Sequence, residues 1–246
     1  MIVGQQKTEQ SDRRDRADQT RKAILDAAIR EFSTHGLSGA RTEAIAESAG
    51  ANKALLYYYF KSKKDLYAAA IEEVSGKVAE DALAALDPAY SAGERLLRSA
   101  LNHFDRILTK REFQSLLQQE MVRFHRDEGG SIPMLYQTVF QPLMEKLQAA
   151  IAEGIKKHEL CKVDTLQVVY SIFGANVFYF LSAPMMQLAL PFNPFDLDAL
   201  RLRRKVAVEF LGNALFVDRT HGARLAKRVL QQMPMPQVND FQLRRK

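Results

Sequence analysis

Apolar residues recur every three or four positions along most of this chain, and no segment alternates apolar and polar residues as a half-buried strand does. Residues 20–35 place their apolar side chains on one helical face: Ile24, Leu25, Ala28, Ile29 and Phe32. Between residues 131 and 156 the apolar positions repeat every four: Leu135, Val139, Leu143, Leu147 and Ile151. The sequence therefore predicts an all-α fold.

Residues typical of helix ends predict three short helices followed by a long one within the first third of the chain. We expect Thr20 to cap the first helix and Gly36 to end it in the left-handed conformation. Asn52 is suited to cap a later short helix, and Ser62 with Asp65 three residues on resembles a capping box. This arrangement indicates a small N-terminal module with its own core.

The helices beyond Pro88 are longer and predict a bundle. Ser91 and Glu94 form another capping box, and Pro142 is expected to kink the helix that contains it. Residues 163–190 are almost wholly apolar, so this helix must be covered on most sides. A last bundle helix is expected at about 195–217.

The segment from Arg41 to Asp65, RTEAIAESAGANKALLYYYFKSKKD, has the pattern of two short helices joined by a tight turn. Ala46 is small where the second helix crosses the first, Gly50 suits the turn, and Leu56 faces back. These features predict a helix-turn-helix unit, whose second helix lies in the DNA major groove. Hydroxyl and ammonium groups at helix starts also suit phosphates. The residues expected to contact DNA are Thr42, Asn52, Lys53, Ala54, Leu55, Tyr57, Tyr58 and Lys63.

The same segment resembles the tetracycline-repressor (TetR) family. The matching residues are Thr42, Ile45, Ala46, Ala49, Gly50, Lys53, Leu56, Tyr57, Phe60, Ser62 and Lys63. The resemblance covers about residues 20–67 and implies an all-helical homodimer with N-terminal DNA-binding heads. It also implies a C-terminal domain that binds a small effector, pairs through its last two bundle helices and releases the operator when the effector binds.

This chain departs from the family pattern at the start of the second helix. Many relatives have Val-Ser-Lys-Gly followed by Thr or Ser, where this chain has Ala51-Asn52-Lys53-Ala54-Leu55. Two hydroxyl groups are therefore missing, and Leu55 is able to contact a thymine methyl group. We expect this sequence to recognise a different operator.

Two groups of residues near this unit have alternative interpretations. Tyr57 and Tyr58 either face DNA, which we favour, or join Phe60 in the core. Arg13, Arg14 and Arg16 belong either to a disordered tail or to an arm that reaches into the minor groove, and acidic residues are interleaved with them.

The kinked helix and its aromatic neighbours predict an apolar effector cavity, although each of these side chains is also suited to an ordinary core. The candidate lining residues are Phe104, Leu108, Leu117, Met121, Phe124, His125, Tyr136, Phe140, Met144, Asn176 and Phe180. The apolar surplus of residues 163–190 predicts a dimer interface with the last bundle helix. Its candidate residues are Phe173, Val177, Phe178, Leu181, Leu200, Val208, Leu211 and Leu215.

Composition and motifs favour a regulator over the alternatives. A single cysteine excludes a disulfide framework, and the polar N-terminus resembles no secretory signal, so we expect a cytoplasmic protein without a membrane partner. We find no phosphate-binding loop, dinucleotide motif, nucleophile elbow or zinc-protease motif. His158 and Cys161, three residues apart, are only weak evidence for a metal site or a catalytic nucleophile. We therefore expect no metal, cofactor or catalytic residue. The rival interpretations are an all-helical enzyme and a protein that binds membrane surfaces through a basic tail.

The net charge of +6 is unevenly distributed, and its distribution separates the chain into regions. Residues 1–70 carry +3, residues 71–216 carry −2 and residues 217–246 carry +5. Together with the helix pattern, the family resemblance implies a flexible arm at 1–19, a DNA-binding head at 20–67, an effector-binding and dimerisation domain at 68–217, and a basic extension at 218–246. A disordered tail is the favoured interpretation of the extension, with a second electrostatic contact as the alternative.

Overall fold

The computed structural model describes the backbone of residues 2–238 and the side chains from residue 15 onward, and this part of the chain contains helices and no β-strand. The helices are α1 (Ile2–Gly39), α2 (Thr42–Ser48), α3 (Lys53–Tyr59), α4 (Lys63–Ala84), α5 (Ala92–Thr109), α6 (Arg111–His125), α7 (Ile132–Leu135), α8 (Gln141–Lys156), α9 (Thr165–Ala189), α10 (Leu197–Ala214) and α11 (Arg219–Gln232). A π-helical turn, Tyr136–Phe140, directly precedes α8. The expected all-α fold is confirmed.

The chain divides into two compact units, and the division falls within α4. The first unit contains the chain up to Lys77 together with Glu112–Leu135, and the second contains Val78–Arg111 and the described residues from Tyr136 onward. The expected head therefore includes α6 and α7, which come from much later in the sequence.

The first unit has a core formed by α1 to α4. Apolar side chains of α1 are buried with Ile45 of α2 and Leu56 of α3. Phe32 of α1 packs edge-on against Tyr67 of α4, with 5.0 Å between the ring centroids. Phe60 is buried, as expected for a core aromatic residue. Such contacts hold the two short helices, because seven-residue helices are not stable alone.

Local signals predicted most of the helix ends in this unit. Gly36 has a φ of 69°, and it breaks the helical conformation inside α1 as expected of a C-terminal glycine. The Ser62 hydroxyl accepts a hydrogen bond from the backbone N–H of Asp65 and donates one to its carboxylate. The Thr20 cap is wrong: this residue lies inside α1, and its hydroxyl donates to the Arg16 carbonyl one turn earlier.

Residues 2–19, expected to form a flexible arm, are the first part of α1. The Arg16 side chain is exposed, whereas those of Arg13 and Arg14 lie outside the described side chains. Whether these arginines reach DNA stays a prediction.

The second unit is built around α5, which contacts α8, α9, α10 and α11. Its main core includes Leu97 and Leu101 of α5, Leu147 of α8 and Val169 of α9. Ser91 caps α5 by accepting a hydrogen bond from the backbone N–H of Glu94. The disturbance expected at Pro142 is present as the π-helical turn that precedes it, because proline cannot continue the regular hydrogen-bond ladder.

The C-terminal extension is folded, so a disordered tail is wrong for residues 219–238. Leu225, Ala226 and Val229 of α11 are buried in the main core. The helix lies so close to α10 that a Cβ atom on Gly222 would overlap the carbonyl oxygen of Gly212. The basic side chains of α11 therefore lie on its outer face, while its apolar side chains enter the core. The extension ends in three further basic residues, Arg244, Arg245 and Lys246, which lie outside the described residues.

Candidate nucleic-acid interface and effector cavity

The turn between α2 and α3 has the geometry of a helix-turn-helix. Gly50 has a φ of 64°, a conformation that side-chain-bearing residues rarely adopt. The Ala51 N–H donates to the Ala46 carbonyl over 2.9 Å and closes the turn. Asn52 is then extended, and its Oδ1 accepts a hydrogen bond from the Leu55 N–H at 2.8 Å, which confirms the expected cap.

Helix α3 exposes its first turn and one tyrosine-rich stripe. Lys53 and Ala54 are exposed, Tyr58 is 79% exposed and Tyr57 is 37% exposed. Leu55 is half-buried, while Leu56 is completely buried against the rest of the unit. Five of the residues expected to contact DNA, Asn52 among them, therefore share one exposed surface.

Lys53 is held by an acidic neighbour on α2. Its ammonium group lies 2.5 Å from a carboxylate oxygen of Glu43. The hydrogen bond lowers the pKa of Glu43 and raises that of Lys53, so both groups are charged at neutral pH. Both side chains are exposed, so a DNA phosphate is able to replace the carboxylate. Sequence reasoning identified Lys53 and overlooked Glu43, although an acidic residue beside the DNA-binding motif was a visible signal.

The other two residues expected to contact DNA, Thr42 and Lys63, lie outside α3 and are at least partly buried. Thr42 is buried, and its hydroxyl lies 3.4 Å from the Tyr57 hydroxyl, so it orients this tyrosine. Lys63 is half-buried, and its ammonium group donates to the Ser38 carbonyl at 3.2 Å. Thr42 therefore supports the surface formed by α3, whereas Lys63 contacts the end of α1 and its contact with DNA stays a prediction.

Helix α6 is attached to the same unit by polar contacts. Ser115 donates to the Ser33 carbonyl at 2.5 Å, and Gln119 donates to the Phe32 carbonyl at 3.2 Å. Glu120 is completely buried and accepts a hydrogen bond from Tyr67 of α4 at 2.9 Å. Burial and the Glu120 charge raise the pKa of Tyr67, which therefore remains a neutral donor. Sequence patterns did not indicate this contact, because the two residues are far apart in the chain.

A mainly apolar cavity of about 550 Å³ lies between α5, α9 and α10 in the second unit. Its volume is within the range of small-molecule sites. The cavity contains two residues expected to bind effector, Phe104 and Asn176, and three expected at the dimer interface, namely Leu211, Leu215 and Val208. The other lining residues are Ala100, Leu101, Val168, Ser171, Ile172, Ala175, Arg203, Arg204, Val206, Ala207, Phe210 and Ala214.

The polar corner of this cavity contains Asn176, whose side-chain amide donates to the Ala100 carbonyl at 3.1 Å. The same amide nitrogen lies 3.4 Å from Nδ1 of His103. Burial, with a smaller effect of the nearby Arg106 charge, lowers the pKa of His103 to about 3. His103 is therefore neutral at physiological pH.

The other expected effector residues lie outside the cavity lining. Leu117, Met121, Phe124 and His125 belong to α6 in the first unit, and the last three are exposed. Tyr136 and Phe140 are exposed on the π-helical turn. Leu108 and Phe180 pack with Phe104 in a separate cluster, and Met144 packs on the main core.

The residues expected at a dimer interface are also divided. Val177, Phe178 and Leu181 form an exposed face of α9, whereas Phe173, Leu211 and Leu215 are half-buried. Leu200 and Val208 are 0% and 1% exposed, so placing them at an interface is wrong. The exposed apolar residues of α10 lie on another side of the helix: Leu202, Val206 and Phe210.

Metal-binding groups and membrane-spanning helices are the remaining features that bear on function. Within the part of the chain that the structure describes, no three His, Cys, Asp or Glu residues are grouped as a metal site would require. Helix α9 has a mean hydropathy of 1.4, and by length and composition alone it could cross a membrane. One such helix is weak support for a membrane location, because buried helices of other proteins share these properties.

The turn geometry and the exposed first turn of α3 define a helix-turn-helix DNA-binding protein. The sequence profile described as bacterial regulatory proteins, tetR family, matches residues 24–70. The transcriptional regulator RutR of Escherichia coli strain K12 is 30% identical over 170 residues, which cover 68% of this chain and 76% of RutR. The chain therefore belongs to the tetR family of bacterial regulatory proteins, and it is a DNA-binding transcriptional regulator rather than an enzyme.

Other similarities agree with this assignment. The transcriptional repressor NicS of Pseudomonas putida is 28% identical over 163 residues, which cover 65% of this chain and 76% of NicS. The crystal structure of a gamma-butyrolactone receptor aligns with a TM-score of 0.65 at 19% identity, covering 89% of this chain and all of that chain. At 19% identity, the similarity to the gamma-butyrolactone receptor shows the fold alone.

Proposed function

We propose that this regulator is a cytoplasmic repressor that binds a pseudo-palindromic operator as a homodimer and leaves it when a small, largely apolar effector binds. The exposed surface at the start of α3 is the observation that carries the proposal. It presents an ammonium group, two phenol groups and small apolar side chains on a helix that its neighbours hold in place. These are groups that bind phosphates and read base edges.

DNA binding would exchange partners at Lys53. In the free protein this lysine binds Glu43, and on DNA it would bind a phosphate. The exchange costs little, because an exposed ion pair contributes little to stability. Tyr57 and Tyr58 would lie in the major groove with Leu55 beside them, and Thr42 would keep Tyr57 oriented.

An electrophoretic shift with the DNA upstream of the protein's own gene tests this proposal. We expect a sequence-specific complex that the Lys53→Ala, Tyr57→Ala double variant does not form. Lys146→Ala, at an exposed position on α8, is the matched control and should bind normally. A shift that the double variant retains would contradict the proposed interface.

A second copy of this chain is the proposed partner of the exposed apolar face on α9 and α10. Helix α9 contains no charged residue in 25 positions, and Phe178 near its middle is 63% exposed. The neighbouring face of α10 is apolar as well, with Leu202 at 61% exposure. A twofold arrangement of this face on itself would bury both helices and supply the two heads that a palindrome requires.

Sedimentation velocity separates the dimer from its alternatives. We expect the wild-type protein to sediment as a dimer and Phe178→Glu to sediment as a monomer, because the interface would bury an unpaired charge. Phe124→Glu, at a comparably exposed position on α6, should remain dimeric. A monomeric wild-type protein, or one that pellets with lipid vesicles, would contradict the proposed homodimer.

The cavity between α5, α9 and α10 is the proposed effector site. Its mainly apolar lining, with Asn176 among its few polar residues, suits a small, mainly apolar molecule. Helix α4 runs from one unit into the other, so it supplies a continuous chain path between the cavity-bearing unit and the head. The name of the gamma-butyrolactone receptor indicates that a protein with this fold binds a small molecule.

A ligand screen by thermal shift tests the effector site. Ligands that bind the native state raise the unfolding temperature, and we expect these ligands also to weaken operator binding. Ala207→Phe, which places a large side chain in the cavity lining, should abolish the stabilisation. Glu145→Phe, at an exposed position on α8, is the control. Stabilising ligands that leave operator affinity unchanged would contradict the proposed release.

A further inference from the structure

Two arginines line the proposed effector cavity, and of these only Arg204 has an acidic partner among the described residues. Arg204 of α10 binds Asp105 of α5 through two hydrogen bonds of 2.8 and 2.9 Å. It also donates to the Met233 carbonyl at 2.6 Å. Burial raises the pKa of Asp105, while the hydrogen bonds and charge of Arg204 oppose this effect. The charge of Arg204 is therefore matched within the protein.

Arg203 lacks such a match. Its guanidinium group donates to the Ala175 carbonyl at 3.2 Å and lies 5.5 Å from the centroid of the Tyr179 ring. Its Nε atom is buried and has no hydrogen-bond partner among the described residues. No aspartate or glutamate is found among the described residues that line the cavity. Arg203 therefore brings to the lining a positive charge without an acidic partner in the described chain. It also brings a buried N–H donor without an acceptor among the described residues.

An unpaired buried donor on a charged group costs free energy, and a ligand acceptor would remove that cost. Guanidinium groups bind carboxylates better than neutral acceptors, because the two planar groups match in charge and geometry. The rest of the lining is almost wholly aliphatic or aromatic, so the ligand must be apolar apart from its acceptor.

We infer that the effector is an apolar carboxylate, with its carboxylate bound by Arg203 and its hydrocarbon part in the cavity between α5, α9 and α10. This inference rests on the proposed effector role of the cavity and adds the chemical class of the ligand. It also assigns Arg203 as the residue that distinguishes an acid from a neutral molecule of the same shape.

Calorimetric titration with matched ligand pairs tests the inference. The probes are hexanoate, octanoate, decanoate and 4-phenylbutyrate, each paired with the primary amide of the same skeleton. We expect at least one acid to bind about tenfold or more tightly than its amide, as charge-assisted hydrogen bonds require. Arg203→Gln should remove this preference, and Arg203→Lys should keep part of it. Arg201→Gln, at an exposed position two residues earlier on α10, should keep the whole preference.

Four results would overturn the inference. In the first, the amides bind as tightly as the acids; in the second, Arg203→Gln keeps the preference for the acid. In the third, none of the acids binds. In the fourth, Arg203→Gln changes only the sedimentation of the dimer, which would make a group of the partner subunit the acceptor for this arginine.

Operator binding in the presence of each probe distinguishes this inference from the proposed function. An acid that binds through Arg203 and leaves operator affinity unchanged would support the ligand class and contradict the effector role. A neutral ligand that fills the cavity and releases the operator would support the effector role and contradict the ligand class.

Discussion

The neutral imidazole of His103 gives a quantitative test of the second unit. Its ring packs 4.4 Å from the Phe173 ring, centroid to centroid, and Nδ1 faces the Asn176 amide. Burial lowers its pKa from 6.5 to about 3 in the folded protein. Because the folded pKa is lower than the unfolded one, the unfolded state binds the proton first as the pH falls. The stability present above pH 6.5 is therefore lost between about pH 6.5 and pH 3.

Between about pH 7 and pH 5 this single group should lower the free energy of unfolding by about 2 kcal/mol. His103→Gln removes the titration, keeps an acceptor for Asn176 and leaves all other titrating groups in place. Urea unfolding of both proteins at both pH values measures the effect, since the change in their stability difference isolates His103. Equal pH dependence in the two proteins would refute a neutral His103 with a lowered pKa.

Three further predictions concern the core, the turn and the DNA interface. Leu225→Ala in α11 should cost about 3 kcal/mol in urea unfolding, because its side chain is in the main core; a cost as small as that of Lys227→Ala would make α11 a detached tail. Gly50→Ala should cost about 1–2 kcal/mol through its positive φ, and Gly50→Asn should cost less; equal thermal stabilities would show that the turn is not strained. Lys53→Ala should reduce the slope of log affinity against log salt by about 0.9 for each phosphate that the variant no longer neutralises, and an unchanged slope would exclude a phosphate partner for Lys53.

Local chemistry explains why the helix-turn-helix was predictable from the sequence. Gly50, Asn52 and Ser62 each satisfy a requirement set by residues within a few positions, so their structural roles follow from spacing alone. The Thr20 cap failed because the helix continues before it, and a threonine inside a helix can bond the preceding turn instead.

The parts that could not be predicted depend on contacts between distant segments. More than one side of α10 is apolar, so periodicity alone could not separate the buried Leu200 and Val208 from the exposed Phe210. The polar composition of α11 conceals the few residues that enter the core. Glu120 becomes buried only because α6 returns to the first unit and meets Tyr67. The cavity is formed by α5, α9 and α10 of the second unit, whereas the α6 side chains expected to line it belong to the first unit.

Selection of bound duplexes from a random DNA pool, followed by footprinting of the selected sequence, tests the central claim most directly. The claim is that the start of α3 reads DNA as part of a dimeric regulator. We predict one pseudo-palindromic sequence with two protected half-sites, and a changed or abolished preference when Tyr58 and Leu55 are both replaced by alanine. A selection that yields no common sequence, or one that the double variant recovers unchanged, would contradict the claim.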